Sequence, residues 1–406
     1  MFLEERRNQI LQWLDEHERV TVNGLASQLR VIRETIRTDL RALAEQGLVQ
    51  RCYGGAIVQR RNLQEKLISE SGHFDVLLKR LQARKTTVKT TSRQGKVCIL
   101  GAFNVDIVAR VARFPQSGES LMAQGSTLGP GGKGANQAMA ASRAGARVHF
   151  VAKVGTDRFS QFAFDHLSSS DIHSFRLYQT DTEPTGSAII YVSQENGENM
   201  IAIYPGANKT LTDAEIAELT HELTDADVLL LQLENNVEAT RSAIRLAHAL
   251  GVRIIMNPAP FSSEVVNVLP MIDVLTPNET EASRLSGIEI CDMASARKAA
   301  QAIVAQGAQA IVAQGAQRVI ITMGARGALL FDAPHCHVIP AFPALSVDTT
   351  GAGDAFNGAL AAALAQGQPL LQAATWASAF ASLAVEREGA SNMPKRHQVI
   401  TRLNQR

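Results

Sequence analysis

The segment Asp348–Asp354, which reads DTTGAGD, holds residue types that could transfer a phosphoryl group. Gly351, Ala352 and Gly353 are small and lead directly into an Ala-rich helical pattern, so their backbone N–H groups are expected to form an anion hole at a helix N-terminus. Asp354 would lie in the first turn beside that anion, where a carboxylate can take the proton of an attacking hydroxyl. The segment therefore predicts a catalytic base, although taken alone an ordinary Gly-rich turn explains it equally well.

Other polar and small residues stand at the ends of strand-like runs or at the starts of helix-like runs. In chain order these motifs are NVD at 104–106, GGKGAN at 131–136, QLE at 232–234, TPNETE at 276–281 and TMGARG at 322–327. The first follows the apolar run at 97–100, and the second opens another Ala-rich helical pattern. With Asp348–Asp354 last in order, the set resembles the motifs of the ribokinase family of sugar kinases over about residues 96–395.

The resemblance implies which residues would bind a sugar, whose hydroxyl groups require carboxylate and amide partners. The implied sugar-binding residues are Asn104, Val105, Asp106, Gly132, Lys133, Gly134, Ala135, Asn136 and Glu234, together with Asp354, which would act on the primary hydroxyl. Asn104 and Asp106 are expected at the end of the first strand. Structural alternatives stay open for three of these residues: a strand-end turn for Asp106, a surface lysine for Lys133 and a helix N-cap for Glu234.

The resemblance also implies a nucleotide site for ATP with Mg²⁺, and K⁺ as a monovalent activator. Asn278 and Glu281 are three residues apart at the predicted start of a helix and hence on one face, where they could position a hydrated Mg²⁺ and the phosphates. The implied ATP-binding residues are Asn278, Thr322, Met323, Gly324, Ala325, Arg326, Gly327, Gly353, Asp354 and Ser378. The implied K⁺ ligands are Asp348, Thr350, Ala384, Arg387, Gly389 and Asn392, in a loop one residue shorter than the family pattern.

The first part of the chain has a different pattern. Apolar spacing predicts helices over 3–17, 22–29 and 33–46, and residues 48–58 predict a hairpin with a Gly-Gly turn. On the third helix, Ile36, Leu40 and Leu43 are expected to face inward. Arg33, Arg37 and Arg41 follow one another at four-residue spacing on another face. Three helices and a hairpin indicate a winged helix-turn-helix whose third helix would lie in the major groove of operator DNA.

The sequences ETIRTDL at 34–40 and YGGA at 53–56 are similar to those of the deoxyribonucleoside-repressor (DeoR) family of sugar-operon regulators. Arg30 replaces the usual turn glycine of that family, and Ile32 stands where a Ser or Thr normally caps the recognition helix. Loss of such a cap costs about 1 kcal/mol. A basic helical module for dimerisation or docking is the alternative interpretation.

The kinase-like part predicts an α/β fold class. Strand-like runs at 228–232, 252–256 and 319–322 alternate with helical ones, as expected for a parallel sheet covered by helices on both faces. By resemblance this is a ribokinase-like parallel-sheet sandwich with a small β-sheet lid that includes 187–192 and 200–204 and pairs with a second lid in a homodimer. The expected domains are a winged helix-turn-helix at 1–58, a linker at 59–95 with one helix at 74–83, and a sugar kinase domain at 96–406.

Composition and charge indicate the cellular compartment of the protein and the charge of a partner. Hydrophobic residues make up 45% of the chain, but no segment approaches eighteen uncharged apolar residues and the first seven residues carry four charges. Neither a signal peptide nor a membrane span is expected. Four scattered cysteines suggest free thiols in a reducing cytoplasm. Residues 1–95 carry a net charge of +6 and the remainder −5, which favours a polyanionic partner for the N-terminal part.

The expected activity is ATP-dependent phosphorylation of a pentose at its primary hydroxyl, in the simplest case D-ribose to D-ribose 5-phosphate. The alternatives are a kinase for deoxyribose or a nucleoside, and a sugar-responsive transcription regulator that uses the kinase fold as a sensor.

One feature departs from the family pattern: AIVAQGAQ at 302–309 is repeated at once at 310–317. Because eight residues rotate a helix by about 80° beyond two turns, and Gly307 and Gly315 invite termination, one copy is expected to bulge outward or form a surface segment.

Overall fold

The structure is a computed structural model and describes residues 6–7, 9–10, 19–29, 31–45, 49–52, 55–58, 94–195, 198–309 and 318–405. The chain divides into two units, Met1–Thr91 and Ser92–Arg406. The linker expected over 59–95, with its helix at 74–83, lies almost wholly outside the described residues. The expected domain boundaries therefore stay a prediction.

The first unit combines helices with a small antiparallel sheet. Its elements are β1 (Arg19–Thr21), α1 (Val22–Gln28), α2 (Arg33–Glu45), β2 (Val49–Cys52) and β3 (Gly55–Val58). The sheet order is β1-β3-β2, so the predicted hairpin is confirmed and β1 adds a strand that the sequence did not predict. Gly55 pairs with Cys52 inside the sheet, which makes the expected Gly-Gly turn wrong in its second residue. Of the helix expected over 3–17, the described residues 6–7 and 9–10 are helical.

Apolar residues of α2 hold this unit together. The predicted inward positions are confirmed, because one core contains Ile10, Ile36, Leu40 and Leu43, each 2% exposed or less. The buried Asp39 carboxylate of α2 is paired with Arg6 Nε at 2.6 Å and with Arg7 Nε at 3.2 Å. These ion pairs satisfy the buried charge and attach the start of the chain to α2.

The second unit contains a nine-stranded sheet and a four-stranded sheet. Its strands are β4 (Lys96–Leu100), β5 (Asn104–Val111), β6 (Gly125–Gly131), β7 (Arg147–Val154), β8 (Ser174–Gln179), β9 (Ser187–Ser193), β10 (Asn199–Tyr204), β11 (Val228–Leu231), β12 (Arg253–Met256), β13 (Val274–Leu275), β14 (Arg318–Thr322), β15 (Ala328–Asp332) and β16 (His335–Ile339). Its helices are α3 (Lys133–Arg143), α4 (Arg158–Ser169), α5 (Asp213–Ala217), α6 (Thr220–Asp225), α7 (Val237–Ala249), α8 (Glu279–Ser286), α9 (Met293–Gln309), α10 (Ala352–Ala365), α11 (Leu370–Ala384) and α12 (Arg396–Asn404).

The large sheet has the order β16-β15-β14-β13-β12-β11-β4-β7-β8. Neighbours from β14 to β8 pair in parallel, whereas β15 is antiparallel to both of its neighbours. Alternate residues of β11 enter two cores, Val228 and Leu230 with α3, α10 and α11, and Leu229 and Leu231 with α7 and α9. Helices thus cover both faces, as predicted, and the loops after the parallel strands meet at one edge of the sheet.

The small sheet has the order β10-β9-β5-β6. The two lid segments predicted from the sequence are its strands β9 and β10. The other two strands were not predicted, so Asn104 and Asp106 lie at the start of β5 in the lid and not, as expected, at the end of the first strand. Several large apolar side chains on this sheet are exposed, among them Leu128, Met200, Ile201 and Ile203.

The tandem duplication begins inside α9. This helix runs from Met293 to Gln309 and therefore contains the whole first copy. Gly307 does not end α9, which continues for two further residues, and the expectation that one copy bulges outward or forms a surface segment stays a prediction. The second copy, residues 310–317, lies outside the described residues. No helix in the part of the chain that the structure describes is long and apolar enough to cross a membrane.

Candidate active site

The N-terminal ends of α3 and α10 meet at the centre of the candidate site. Gly132 (φ +89°) and Gly351 (φ +77°) precede these helices in backbone conformations that other residues rarely adopt. Asn136 Nδ2 on α3 donates to Asp354 Oδ2 on α10 at 3.2 Å, and Gln137 Nε2 donates to Oδ1 at 3.0 Å. Asp354 is only 5% exposed, so both of its oxygens are held by amides in a fixed direction.

The backbone at the start of α10 has open space beside it, where the anion hole is predicted. The first N–H groups of a helix have no acceptor within the helix, and for α10 they belong to Ala352, Gly353 and Asp354. A Cβ on Gly353 would have open space around it, with no described heavy atom within 4 Å. The N–H of Ala352 donates to the Thr349 carbonyl at 3.2 Å. The predicted anion hole and the predicted base therefore share one helical turn with room for a ligand.

Further ionisable groups surround Asp354. The Lys133 backbone N–H donates to Glu234 Oε2 at 2.7 Å. Burial, and then the charge of Asp354, raises the pKa of Asp106 to about 6. Burial raises the pKa of Glu234 to about 7, with Lys133 acting in the opposite direction. The charge of Asp354 raises the pKa of Lys133, burial opposes it, and Glu234 and Glu281 add to the rise. Residues predicted to bind sugar and residues predicted to bind nucleotide are thus electrostatically coupled around one lysine.

The residues at the start of β5 are held by their neighbours. Asn208 Nδ2 donates to Asn104 Oδ1 at 2.9 Å, and the Val105 N–H donates to the Gly186 carbonyl at 2.9 Å. A Cβ on Gly131 would lie 2.0 Å from Asp106 Oδ1, so any other residue here would displace this carboxylate. Asn208 was not predicted as part of the site.

The structure bears on the structural alternatives for three sugar-site residues. Asp106 lies within β5, paired with β6 and β9, and is not a turn residue. Lys133 is partly buried at the first position of α3. Glu234 is not the N-cap of α7, which is Asn236, but its carboxylate accepts the N–H of the first residue of α3, so a helix-capping role stays open for it. Their roles toward a sugar stay predictions.

The two segments predicted to bind ATP lie side by side. The Thr322 N–H donates to the Pro277 carbonyl at 3.0 Å, and Thr322 forms a parallel bridge with Asn278. Asn278 Oδ1 accepts the Glu281 N–H at 2.8 Å, and Glu281 Oε2 accepts the Asn278 N–H at 2.9 Å. This reciprocal cap begins α8 and fixes both side chains. It uses the only side-chain oxygen of Asn278 and one of the two of Glu281.

Residues of the predicted nucleotide loop differ in their surroundings. Gly324 has φ +54° and open space where a Cβ would be, which suits close approach of a ligand. A Cβ on Gly327 would lie 2.1 Å from the Ile339 carbonyl oxygen, so this glycine is required by packing. The Arg326 guanidinium pairs with the Glu279 carboxylate and is therefore already engaged within the protein.

Two further predicted ATP contacts are less accessible. Met323 is only 2% exposed, so its side chain belongs to the core. Ser378 is partly buried on α11, which packs against β15 and β16 beside the nucleotide loop. Ala325 is exposed at the tip of that loop.

The donor set for Mg²⁺ is small. No group of three or more His, Cys, Asp or Glu side chains that could hold a metal occurs among the described residues. Asn278 and Glu281 offer one carboxamide and one carboxylate at the start of α8, a donor set that fits a Mg²⁺ carried mainly by nucleotide phosphates and water.

The residues predicted to hold K⁺ are connected through Asp348. Its Oδ1 accepts the Thr350 N–H at 2.8 Å and its Oδ2 accepts the Gly389 N–H at 3.0 Å. Burial alone would raise the pKa of Asp348, but the hydrogen bonds from Thr350 and Gly389 lower it. An ionised carboxylate beside two loops suits a monovalent cation.

The remaining K⁺ candidates lie in the same loop region. The Ala384 carbonyl accepts the Arg387 N–H, and the Gly389 carbonyl accepts the Asn392 N–H, both at 3.1 Å. The Asn392 side chain is exposed. The neighbouring Ser391 points elsewhere, since its Oγ donates to Asn136 Oδ1 at 2.8 Å.

A chain of buried amides supports Asp354 and was not predicted. Gln232 Nε2 donates to Gln137 Oε1 at 2.6 Å. The chain continues from Gln137 through Asn257, Thr276 and Asn357 to the Gly353 carbonyl, with contacts of 3.2, 3.0, 2.5 and 2.8 Å. The available sequence signal was a polar residue inside an Ala-rich helix, at Gln137 in α3 and at Asn357 in α10.

The first unit carries its own candidate site on α2. Arg33, Arg37 and Arg41 are exposed on this helix, as predicted. Arg37 Nη1 lies 3.0 Å from Glu34 Oε2 in an exposed ion pair. Ile32, directly before the helix, is 72% exposed. The face combines positive charge with one apolar side chain, a composition found where helices contact DNA.

Both units match known proteins. Residues 94–396 match the model of the pfkB family carbohydrate kinases, and residues 6–62 match that of the DeoR-like helix-turn-helix domain. The chain is 34% identical to the ribokinase of Haemophilus influenzae over 303 residues, which cover 74% of this chain and 96% of that protein. It is 33% identical to the deoxyribokinase of Salmonella typhi over 297 residues, which cover 73% of this chain and 94% of that protein.

The fold also matches a solved structure. The ribokinase of Arabidopsis thaliana, solved in complex with ribose and ATP, aligns with a TM-score of 0.69 and 29% identity over 77% of this chain and 99% of that one. The fold class expected from the sequence is confirmed by this likeness and by the sheets described above. The chain therefore belongs to the pfkB family of carbohydrate kinases, and its kinase unit follows an N-terminal DeoR-like helix-turn-helix domain.

Proposed function

We propose that the kinase unit transfers the γ-phosphate of ATP to the primary hydroxyl of a pentose, and that D-ribose, converted to D-ribose 5-phosphate, is the preferred substrate. The observation that carries the proposal is the position of Asp354. Its carboxylate is buried, is held by Asn136 and Gln137, and lies in the same turn as the open N-terminus of α10. The likeness to ribokinases from bacteria and plants supports a pentose as acceptor.

In this mechanism Asp354 takes the proton of the attacking hydroxyl, and the first amides of α10 stabilise the charge that develops on the transferring phosphoryl group. Asn104, Asp106 and Glu234 bind the other hydroxyls. Lys133 balances the surrounding carboxylates, which is why its pKa is raised. Closure of the lid sheet over the sugar keeps water away from the phosphoryl group.

The proposal includes two cations. Mg²⁺, when bound with the nucleotide phosphates, neutralises their charge, and the Asn278/Glu281 pair would hold its water shell. K⁺ would be held by Asp348 and the neighbouring loop carbonyls of Thr350 and Ala384, with Arg387, Gly389 and Asn392 completing the surrounding loop. There it would support the predicted anion hole, which begins at Gly351, directly after Thr350.

Activity measurements would decide which pentose the kinase unit prefers. Sequence identity does not separate the candidates, because the ribokinase and deoxyribokinase relatives are 34% and 33% identical. We expect kcat/KM for D-ribose to exceed that for 2-deoxy-D-ribose and for a nucleoside by tenfold or more, since a site built to bind a hydroxyl discriminates against its absence. Release of ADP in a coupled assay measures this, and a higher kcat/KM for 2-deoxyribose would replace ribose in the proposal.

We further propose that α2 binds a sugar-operon site on DNA through the major groove. The support is the DeoR-like match and the exposed Arg33, Arg37 and Arg41. In a gel-shift assay with promoter fragments near the gene, affinity should fall steeply as salt rises. Arg41→Gln should weaken binding, whereas Arg245→Gln, which removes an exposed arginine of the kinase unit, should not. Absence of any shift at low salt, with or without sugar, would overturn this part.

The cytoplasmic location and the homodimer are also proposals. We place the protein in the cytoplasm, where ATP is available and where the free thiols of Cys98, Cys291 and Cys336 stay reduced. The exposed apolar side chains of the lid, such as Ile201 and Ile203, would be covered in a homodimer. Light scattering of the purified protein should give twice the mass of one chain.

The alternative to an active kinase is a sugar sensor without activity, and it requires that no sugar support ADP release.

A further inference from the structure

A cleft of about 810 Å³ opens at the far end of α3 from the candidate active site. Lys133 and Arg143 are the first and last residues of this eleven-residue helix. At 1.5 Å per residue, about 15 Å separates them along the helix axis. The cleft is therefore distinct from the site around Asp354, although one rigid helix borders both.

The lining of the cleft is strongly positive. It contains four side chains that are cationic at neutral pH, Arg143, Arg147, Lys395 and Arg396, and one carboxylate, Asp171. Asp171 Oδ2 accepts from Arg143 Nε at 3.2 Å and offsets only one of the four charges. Such an excess within a concavity raises the local potential and favours a bound anion.

The guanidinium groups of the cleft are held in place. Arg396 lies over the Trp376 ring, 5.1 Å from its centroid, and donates to the Ala144 carbonyl at 2.9 Å. Arg143 Nη1 donates to the Met393 carbonyl at 2.5 Å. Groups fixed in this way lose little freedom when an anion binds. Lys395 is exposed at the rim, so its ammonium can reach a ligand.

We propose that this cleft binds the phosphate group of a small phosphorylated metabolite. Arg and Lys are the side chains that bind phosphate best, and the volume lies in the range of small-molecule sites. His397 supplies a polar group for the rest of the ligand. Ser142 Oγ already donates to the Asp171 carbonyl, and His173 Nε2 already accepts from Arg147 Nε at 2.9 Å, so these residues shape the cleft. Residues 84–93, the ten residues before Gln94 in the sequence, carry four positive charges and no negative one, so this segment of the chain is a poor occupant.

Binding is tested by titrating the full-length protein with inorganic phosphate and with ribose 5-phosphate. Trp376 reports on the cleft, and replacement of the other tryptophan by Trp13→Phe makes its fluorescence the only indole signal. We expect a saturable change with at least one probe, weakened tenfold or more by Lys395→Glu. Tighter binding of ribose 5-phosphate would identify a sugar phosphate as the source, and equal binding would identify free phosphate.

The controls separate the cleft from the other anion sites. Lys298→Glu reverses an exposed lysine on α9 and should leave the titration unchanged. No saturable response to either probe would overturn the proposal. So would a response that survives Lys395→Glu but is lost in Lys133→Gln, since it would come from the active site. A tenfold loss of duplex DNA binding in Lys395→Glu, with the phosphate titration unaffected, would assign the cleft to nucleic acid instead.

Discussion

Asp106→Asn should make the sugar-free protein more stable while it damages sugar binding. Burial, and then the charge of Asp354, raises the pKa of Asp106 from 3.8 to about 6. At 1.36 kcal/mol per pKa unit this corresponds to at most about 3 kcal/mol of unfolding free energy. Asparagine has nearly the same shape, so it fits against Gly131 and carries no charge to bury. Because the carboxylate is partly exposed, we expect a gain of about 1–3 kcal/mol at pH 8.

The gain depends on pH in a defined direction. Because the folded-state pKa of Asp106 is raised, its protonated form favours the folded protein. This contribution is fully present below the unfolded-state pKa and is lost as pH rises through about 6. At pH 8 the wild type has lost all of it, and at pH 5 only about half. The stabilisation by Asp106→Asn should therefore shrink by about half between pH 8 and pH 5.

Thermal melting of the ligand-free protein at the two pH values measures the effect. We expect the melting temperature at pH 8 to rise by about 2–6 °C in Asp106→Asn, and the KM for pentose to rise tenfold or more because a charged acceptor is lost. Asp181→Asn, an exposed position, is the matched control and should change neither quantity. A lower melting temperature at pH 8, or a gain that is equal at pH 5, would refute the reasoning.

Three further predictions concern other parts of the chain. Burial raises the pKa of Glu234 to about 7, so the KM for pentose should rise as pH falls from 8 to 6. This dependence should weaken in Glu234→Gln, and the remainder should come from Asp106, whose pKa is raised to about 6; initial rates across pH decide, and a flat wild-type profile contradicts the prediction. Ile32→Ser provides a capping hydroxyl directly before α2 and should stabilise the first unit by about 1 kcal/mol relative to Ile32→Ala, which urea unfolding measures; equal stability of the two variants contradicts it. Deletion of residues 310–317 should preserve or raise the melting temperature without changing the KM for ATP, since α9 already contains one whole copy of the repeat; misfolding or a tenfold loss of ATP affinity would show that the second copy is required.

The parallel sheet could be predicted because its strands are apolar on both faces. β11, for example, reads VLLL and is buried throughout. β6 could not be predicted in the same way, because GSTLGPG contains three glycines and a proline and resembles a loop. It is a strand because it pairs with β5, and that pairing is not a property of the local sequence.

The candidate site likewise contains residues that could be predicted from the sequence and residues that could not. The helix-opening glycines and Asp354 could be located from local motifs, since the chemistry requires small residues and a carboxylate at a helix start. Gln137 could not be assigned, because its partner Asp354 lies 217 positions away in the sequence. Gly307 is the opposite case: its local tendency to end a helix is overridden by the continuation of α9.

The most direct test of the central claim is turnover of D-ribose and ATP by Asp354→Asn, together with ATP binding by the same variant. Asparagine keeps the size of the side chain, and its one oxygen can still accept from either Asn136 or Gln137. The cost is one hydrogen bond, so the protein should still fold and its ATP affinity should be nearly unchanged. Loss of the base should lower kcat by a factor of about 100 or more. A folded Asp354→Asn protein that binds ATP normally and turns over at a near-normal rate would contradict the account.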